Sequence, residues 1–187
     1  MIWNKHSSLE GQHAFLGASK YSWLNYDETR LILAWERAQA TERGTRLHAF
    51  AAEAIRLQQK LPRSTRTLNA YVNDAIGFGL DPEVLLYYSK YCFGTADAIG
   101  FAKNVLRISD LKTGETPAKM DQLKIYAALF CLEYHVNPET IRTELRIYQN
   151  DSVEYCEADP KEIAAIMKHI INSDKILSEH EVMEGRS

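Results

Sequence analysis

Cysteine is scarce in this chain. Only Cys92, Cys131 and Cys156 occur among 187 residues. Their odd number and wide spacing, without a CxxC pair, exclude a disulfide framework, a zinc knuckle and a cysteine-ligated iron–sulfur cluster. A reducing cytoplasm is the simplest setting. Long apolar runs are missing as well. None approaches the roughly 18 residues of a membrane span, and the opening Met-Ile-Trp-Asn-Lys-His has no leader-like apolar segment. No membrane partner is expected. Nor does one sign of charge dominate: 22 Lys and Arg stand against 25 Asp and Glu, a net of −3. Nucleic-acid binding would therefore need a local basic patch.

What is present fits one globular domain with a substantial core, since 45% of residues are hydrophobic and 25% charged. Neither an internal repeat nor a linker divides the chain. Residues 1–26 form an aromatic-rich arm with Trp3, Phe15, Tyr21, Trp23 and Tyr26, in which Ser19 caps a short helix through Leu24. This arm packs on the body or, alternatively, offers bases a stacking surface. Asp27 is an N-cap candidate for a helix that Gly44 interrupts. A second helical stretch carries Leu47, Phe50, Ala51, Ala54 and Ile55 on its apolar face. His48 lies on that stretch, where a lone histidine is ordinarily just a packed or solvated side chain.

Leu61-Pro62-Arg63 breaks the chain, and Ser64 caps a helix to about Ile76. Residues 77–82 read as a loop and Glu83–Tyr91 as a strand. Ala118–Tyr134 is the strongest helix, with Gln122 and Tyr126 spaced i, i+4 on one face. In the plainer reading Tyr126 is core and Gln122 its edge. Thr140–Gln149 alternates like a strand. Asp159-Pro160 opens a last helix through about Ile176, followed by a charged, frayed tail over 178–187. Helices, three strands, helix, strand, helix define an α/β fold: a mixed central sheet flanked by helices.

The informative stretch is Phe93–Lys112, FGTADAIGFAKNVLRISDLK. It reads as two strands joined at Lys103-Asn104. That turn opposes residues whose numbers sum to 207: Phe101 with Leu106, Ile99 with Ile108, Asp97 with Asp110. Alternation places these, with Thr95 and Lys112, on one face, and Ala96, Ala98, Gly100, Arg107, Ser109 and Leu111 on the other. Two opposed carboxylates repel. Burial then raises a pKa or demands a cation. A divalent ion between Asp97 and Asp110, with Lys112 one pleat away, would resolve the conflict and suit phosphodiester hydrolysis. The bland alternative is a surface hairpin with Asp110 and Lys112 as a solvated pair.

Four segments together resemble the PD-(D/E)XK nuclease superfamily, in its RecB-like branch and especially its phage-encoded exonucleases. They are Gly44-Thr45 with His48, Phe93–Ala98, Ser109–Gly114, and Gln122 with Tyr126, in the family's order over roughly residues 40–135. The resemblance implies a restriction-endonuclease-like core. It makes His48, Asp97, Asp110 and the Leu111 carbonyl metal ligands for Mg²⁺, with Mn²⁺ substituting. It makes Lys112 the active-site lysine, and Gln122 and Tyr126 the QxxxY element beside the DNA. Asp110 stands where many members have Glu. The iron–sulfur cluster of some relatives is not expected, because its cysteines are missing here. The implied function is a DNA nuclease, in particular an exonuclease processing ends in phage recombination or replication, in the host cytoplasm. A single-strand annealing protein and further copies of the chain are partners the resemblance allows. Arg43, Arg46, Thr113, Lys119 and Lys124 flank the motifs and are the DNA-contact candidates, although solvated surface is the ordinary role of any one of them. Two competing readings are a non-cleaving nucleic-acid binder on the same fold and a structural or partner-binding phage protein.

Overall fold

The structure, a computed structural model, describes residues 14–184. Trp3 and the rest of the arm before Ala14 lie outside them. The chain divides at Thr45 and Arg46 into two compact units.

In the N-terminal unit, Ala18–Asn25 is a 3₁₀ helix preceded by Gly17, and Ser19 does not cap it. The Trp23 indole donates to the Gly17 carbonyl at 3.1 Å, and Phe15 meets Trp35 edge-on with ring centroids 5.1 Å apart. Helix α1 (Glu28–Arg56) starts in this unit. Asp27 caps it as expected, its Oδ1 accepting from the Arg30 amide at 2.8 Å. Gly44 does not interrupt it. That residue is buried within a continuous helix, at a modest cost in helix propensity.

The second unit is built on a five-stranded sheet in the order β1-β2-β3-β4-β5. The strands are β1 (Asp81–Ser89), β2 (Cys92–Ala102), β3 (Val105–Leu111), β4 (Arg142–Gln149) and β5 (Ser152–Glu157). Only β3 and β4 pair in parallel, so the sheet is mixed. Their crossover carries α3 (Asp121–Glu133), as a parallel connection requires. On one face, α3 and α4 (Pro160–Glu184) cover Leu86, Ile99, Leu106, Ile108, Leu145 and Ile147. On the other, the last turns of α1 and helix α2 (Thr67–Phe78) bring Ala51, Ile55, Tyr71 and Val72 against Ala98, Leu111 and Tyr148. Among the described residues, no helix is long and apolar enough to cross a membrane.

Four further expectations are corrected. Strand β5 was not anticipated. Its turn, Asn150-Asp151, has both residues at positive φ (50° and 55°), the geometry of a two-residue hairpin. Ser64 is not the cap of α2. That role falls to Asp151, whose Oδ1 accepts from the Thr67 amide at 2.8 Å and the Thr67 hydroxyl at 3.1 Å. Residues 77–82 are not one loop: α2 runs to Phe78, Gly79 closes it in the left-handed region, and β1 begins at Asp81. The tail is helical through Glu184, because α4 does not stop near Ile176. Its start is as expected: the Asp159 carboxylate accepts from the Lys161 amide at 2.9 Å, with Pro160 first in the helix.

Candidate active site

The turn at Lys103-Asn104 takes the expected form, with φ of 51° and 59°. The register follows: Ile99 faces Ile108 and Phe101 faces Leu106. The ladder ends at Ala98 and Ser109, one position short of the two aspartates. There the Asp97 side chain replaces the backbone partner, its Oδ2 accepting from the Leu111 amide at 2.9 Å.

The expected faces hold near the turn and fail beyond Asp97. Phe101 packs on Phe130 of α3, and a Cβ at Gly100 would meet Leu80 on the opposite side. Yet a Cβ at Gly94 would touch the Tyr126 ring of α3 at 3.0 Å, and Ala96 joins the core on that side. Even-numbered residues therefore change sides between Ala96 and Ala98. The neighbouring strand β1 is irregular at the same level. The β1–β2 ladder skips the Glu83–Asp97 position, and Glu83 has φ of 54°, which breaks the pleat while the register is kept. Asp97 is thereby aimed at His48 of α1.

On the α1 side, His48 Nδ1 lies 3.4 Å from Asp97 Oδ2. One ligand atom from each of His48, Glu83 and Asp97 falls within 4.8 Å of the others. Glu83 is the residue that sequence reasoning missed. Nothing local marks it, because its approach depends on the β1–β2 register and a strained backbone angle. Asp110 is outside that trio but electrostatically coupled to it. It is only 2% exposed. Burial and the nearby Asp97 carboxylate hold its pKa above the usual carboxylate range, with partial relief from Lys112 and His48. The His48 imidazole is raised as well, chiefly by its hydrogen bond to Asp97, against the opposing effect of burial.

On the α3 side a polar chain runs outward. Lys112 Nζ sits 3.1 Å from Asp110 Oδ1 and 3.0 Å from Oδ2, donating a hydrogen bond to Oδ1. It also donates to Gln122 Oε1 at 2.9 Å, and Gln122 Nε2 donates to the Tyr126 hydroxyl at 3.1 Å. Asp110 Oδ2 is left buried without a hydrogen bond. The Lys112 ammonium 3.0 Å away supplies that oxygen with a countercharge, which offsets part of the cost of burying it. The Glu83 and Asp97 carboxylates are hard, anionic donors of the kind Mg²⁺ or Mn²⁺ takes, and the His48 imidazole is a borderline third. Leu111 enters through its N–H to Asp97, and its side chain is buried among α1 and α2 residues.

The expected DNA contacts are placed unevenly. Thr113 and Lys119 are exposed, on the segment between β3 and α3, and Arg46 is exposed on α1. Arg43 is exposed in the N-terminal unit. Lys124 is engaged elsewhere, its ammonium 2.6 Å from Glu162 of α4.

No protein-family model matches the chain, and comparisons with curated proteins and with solved structures return no match.

Proposed function

We propose that this chain is a Mg²⁺- or Mn²⁺-dependent deoxyribonuclease that hydrolyses phosphodiester bonds, of the PD-(D/E)XK type, acting as an exonuclease on DNA ends in the cytoplasm. The observation that carries this reading is Asp110. A buried carboxylate whose pKa is raised by burial and by a second carboxylate nearby, with a lysine on it, is expensive in a structural hairpin and useful in a metal-assisted hydrolase. A partner-binding or non-cutting protein has no use for that expense.

Asp97, Asp110, His48 and Glu83 would hold the ion. It would supply Lewis acidity toward a phosphate oxygen and lower the pKa of a bound water. The remaining roles belong to the chain itself. Lys112, fixed by Asp110 and Gln122, presents a cation where charge develops on the phosphoryl oxygens. Gln122 orients that ammonium, and Tyr126 orients Gln122. The Leu111 amide fixes the rotamer of Asp97. The buried floor of Tyr71 and Leu111 keeps the surroundings of low polarity, which strengthens each of these interactions. A phage recombination role beside a single-strand annealing protein rests on the sequence resemblance alone.

The deciding experiment incubates end-labelled linear DNA with the protein in Mg²⁺, in Mn²⁺ and in EDTA. Cleavage in metal that EDTA abolishes and Asp110→Asn removes is the expected result. Intact DNA in both metals would overturn the reading.

A further inference from the structure

Beyond Glu83 and Asp97, the hairpin β1–β2 presents an outward face that the metal chemistry does not use. Along β1, Glu83, Leu85 and Tyr87 lie on this face, while Val84 and Leu86 turn to the α3 core. On β2, Asp97, Thr95 and Phe93 oppose them, with Leu85 paired to Thr95 and Tyr87 to Phe93. Leu85, Tyr87 and Phe93 are 54%, 49% and 58% exposed. The Tyr87 and Phe93 rings are stacked across the strands, 27° from parallel, with centroids 6.4 Å apart. An aromatic pair standing in water on a sheet face forgoes burial that the fold supplies elsewhere.

We propose that Tyr87 and Phe93 form a stacking platform for unpaired bases, and that the DNA handled by this site includes a single-stranded segment. The proposal deepens the nuclease reading and rests on it for the direction in which the strand runs. Two pleat strides separate Tyr87 from Glu83, and Phe93 from Asp97. That is about 13 Å at 3.3 Å per residue, or about four bases at duplex stacking distance. The platform and the carboxylates share one ribbon, so the spacing between them is rigid. Bases within a duplex have their faces covered, so the rings select for unpaired ones. A second copy of the chain fits less well. Three half-exposed side chains amount to roughly 300 Å² on each copy, about 600 Å² for a symmetric pair, half of the about 1,200 Å² at the lower end for a stable interface. Addition of a strand to β1 is also hindered at this point, because the Tyr87 amide already donates to Glu133 at 2.8 Å.

The test measures binding in EDTA by fluorescence anisotropy, using a blunt duplex and the same duplex with a single-stranded overhang. The readout is the ratio of the two affinities. Wild type should prefer the overhang. Tyr87→Ser/Phe93→Ser should reduce that ratio at least about tenfold, the scale of lost base stacking. Phe93→Trp should retain the preference, and the introduced indole should be quenched when a short oligothymidine binds. A double variant with the wild-type ratio would overturn the platform. So would a wild-type dimer in sedimentation that the double variant dissociates, since the patch would then belong to a second copy. Cleavage in Mn²⁺ is scored separately. A wild type that cuts DNA while the ratio is unchanged by the double substitution loses the platform alone. A wild type that never cuts, yet shows the ring-dependent preference, loses the nuclease reading and keeps the platform.

Discussion

Lys112 Nζ bridges Asp110 and Gln122, donating to Oδ1 of the one at 3.1 Å and to Oε1 of the other at 2.9 Å. A strand and a helix thus hold one ammonium between them. If that ammonium acts mainly on the transition state, its loss lowers kcat more than it raises KM. Lys112→Ala should bind DNA in Ca²⁺ nearly as wild type does and cleave in Mg²⁺ at least about a hundredfold more slowly. Lys112→Arg should not restore the rate, because a planar guanidinium is a poor substitute for a compact charge. Single-turnover kinetics check both. A wild-type rate for Lys112→Ala would remove the catalytic role.

Protonation and metal binding should compete. The Asp110 and His48 pKa values both lie above their ordinary positions. A group with a raised folded-state pKa contributes stability below its unfolded pKa and loses it as pH rises through the folded value. Both groups therefore favour the metal-free fold at low pH and cease to do so above the raised values. A divalent ion then takes the place of the protons, so the Mn²⁺-induced rise in Tm should grow as pH passes the usual carboxylate and imidazole ranges. Thermal melts with and without Mn²⁺ across that range check this. A shift that is flat with pH, or that persists in Asp97→Ala/Asp110→Ala, would count against the shared site.

Gly94 has a role at a distance from the carboxylates. A methyl group there would press on the Tyr126 ring at 3.0 Å. Gly94→Ala should displace the ring and loosen Gln122 and then Lys112, lowering kcat while leaving metal binding near wild type. Steady-state kinetics beside a Mn²⁺ titration would show it. Equal losses in both would instead indicate a general disturbance of the hairpin.

Glu144 is 3% exposed and accepts from Arg107 Nε and Arg146 Nη2, each at 2.9 Å, with Arg142 as a further partner. Glu144→Ala would leave these guanidinium groups facing one another. Unfolding in urea should register a loss on the scale of about 3–5 kcal/mol. A loss below about 1 kcal/mol would show that the arginines find other partners.

The basic candidates should separate by geometry. Each phosphate contact removed lowers the salt slope of DNA binding by about one. Lys119→Ala should do so. Lys124→Ala should not, because its ammonium serves Glu162 between α3 and α4. Affinity measured at several salt concentrations decides, and a reduced slope for Lys124→Ala would show that the ion pair opens to DNA.

Much of this protein was determined by local sequence. The Lys103-Asn104 turn set the β2–β3 register, because two residues at positive φ leave one way to pair the flanking strands. Asp27 and Asp159-Pro160 marked helix starts through chemistry that acts within one turn. The i, i+4 spacing put Gln122 and Tyr126 on one face of α3, and the two-residue spacing kept Lys112 beside Asp110. The Asn150-Asp151 turn obeys the same rule and leads into β5. Other features depended on groups distant in the chain. Asp151 caps α2 across 84 residues. Glu83 joins His48 and Asp97 only because β1 lies beside β2 and its backbone breaks the pleat there. That break turns Asp97 from the face alternation assigns to it, and alternation presumes an unbroken pleat. Local rules specify which residues can meet along one element. Which elements face one another, and where a strand departs from ideal geometry, is settled when the whole sheet packs.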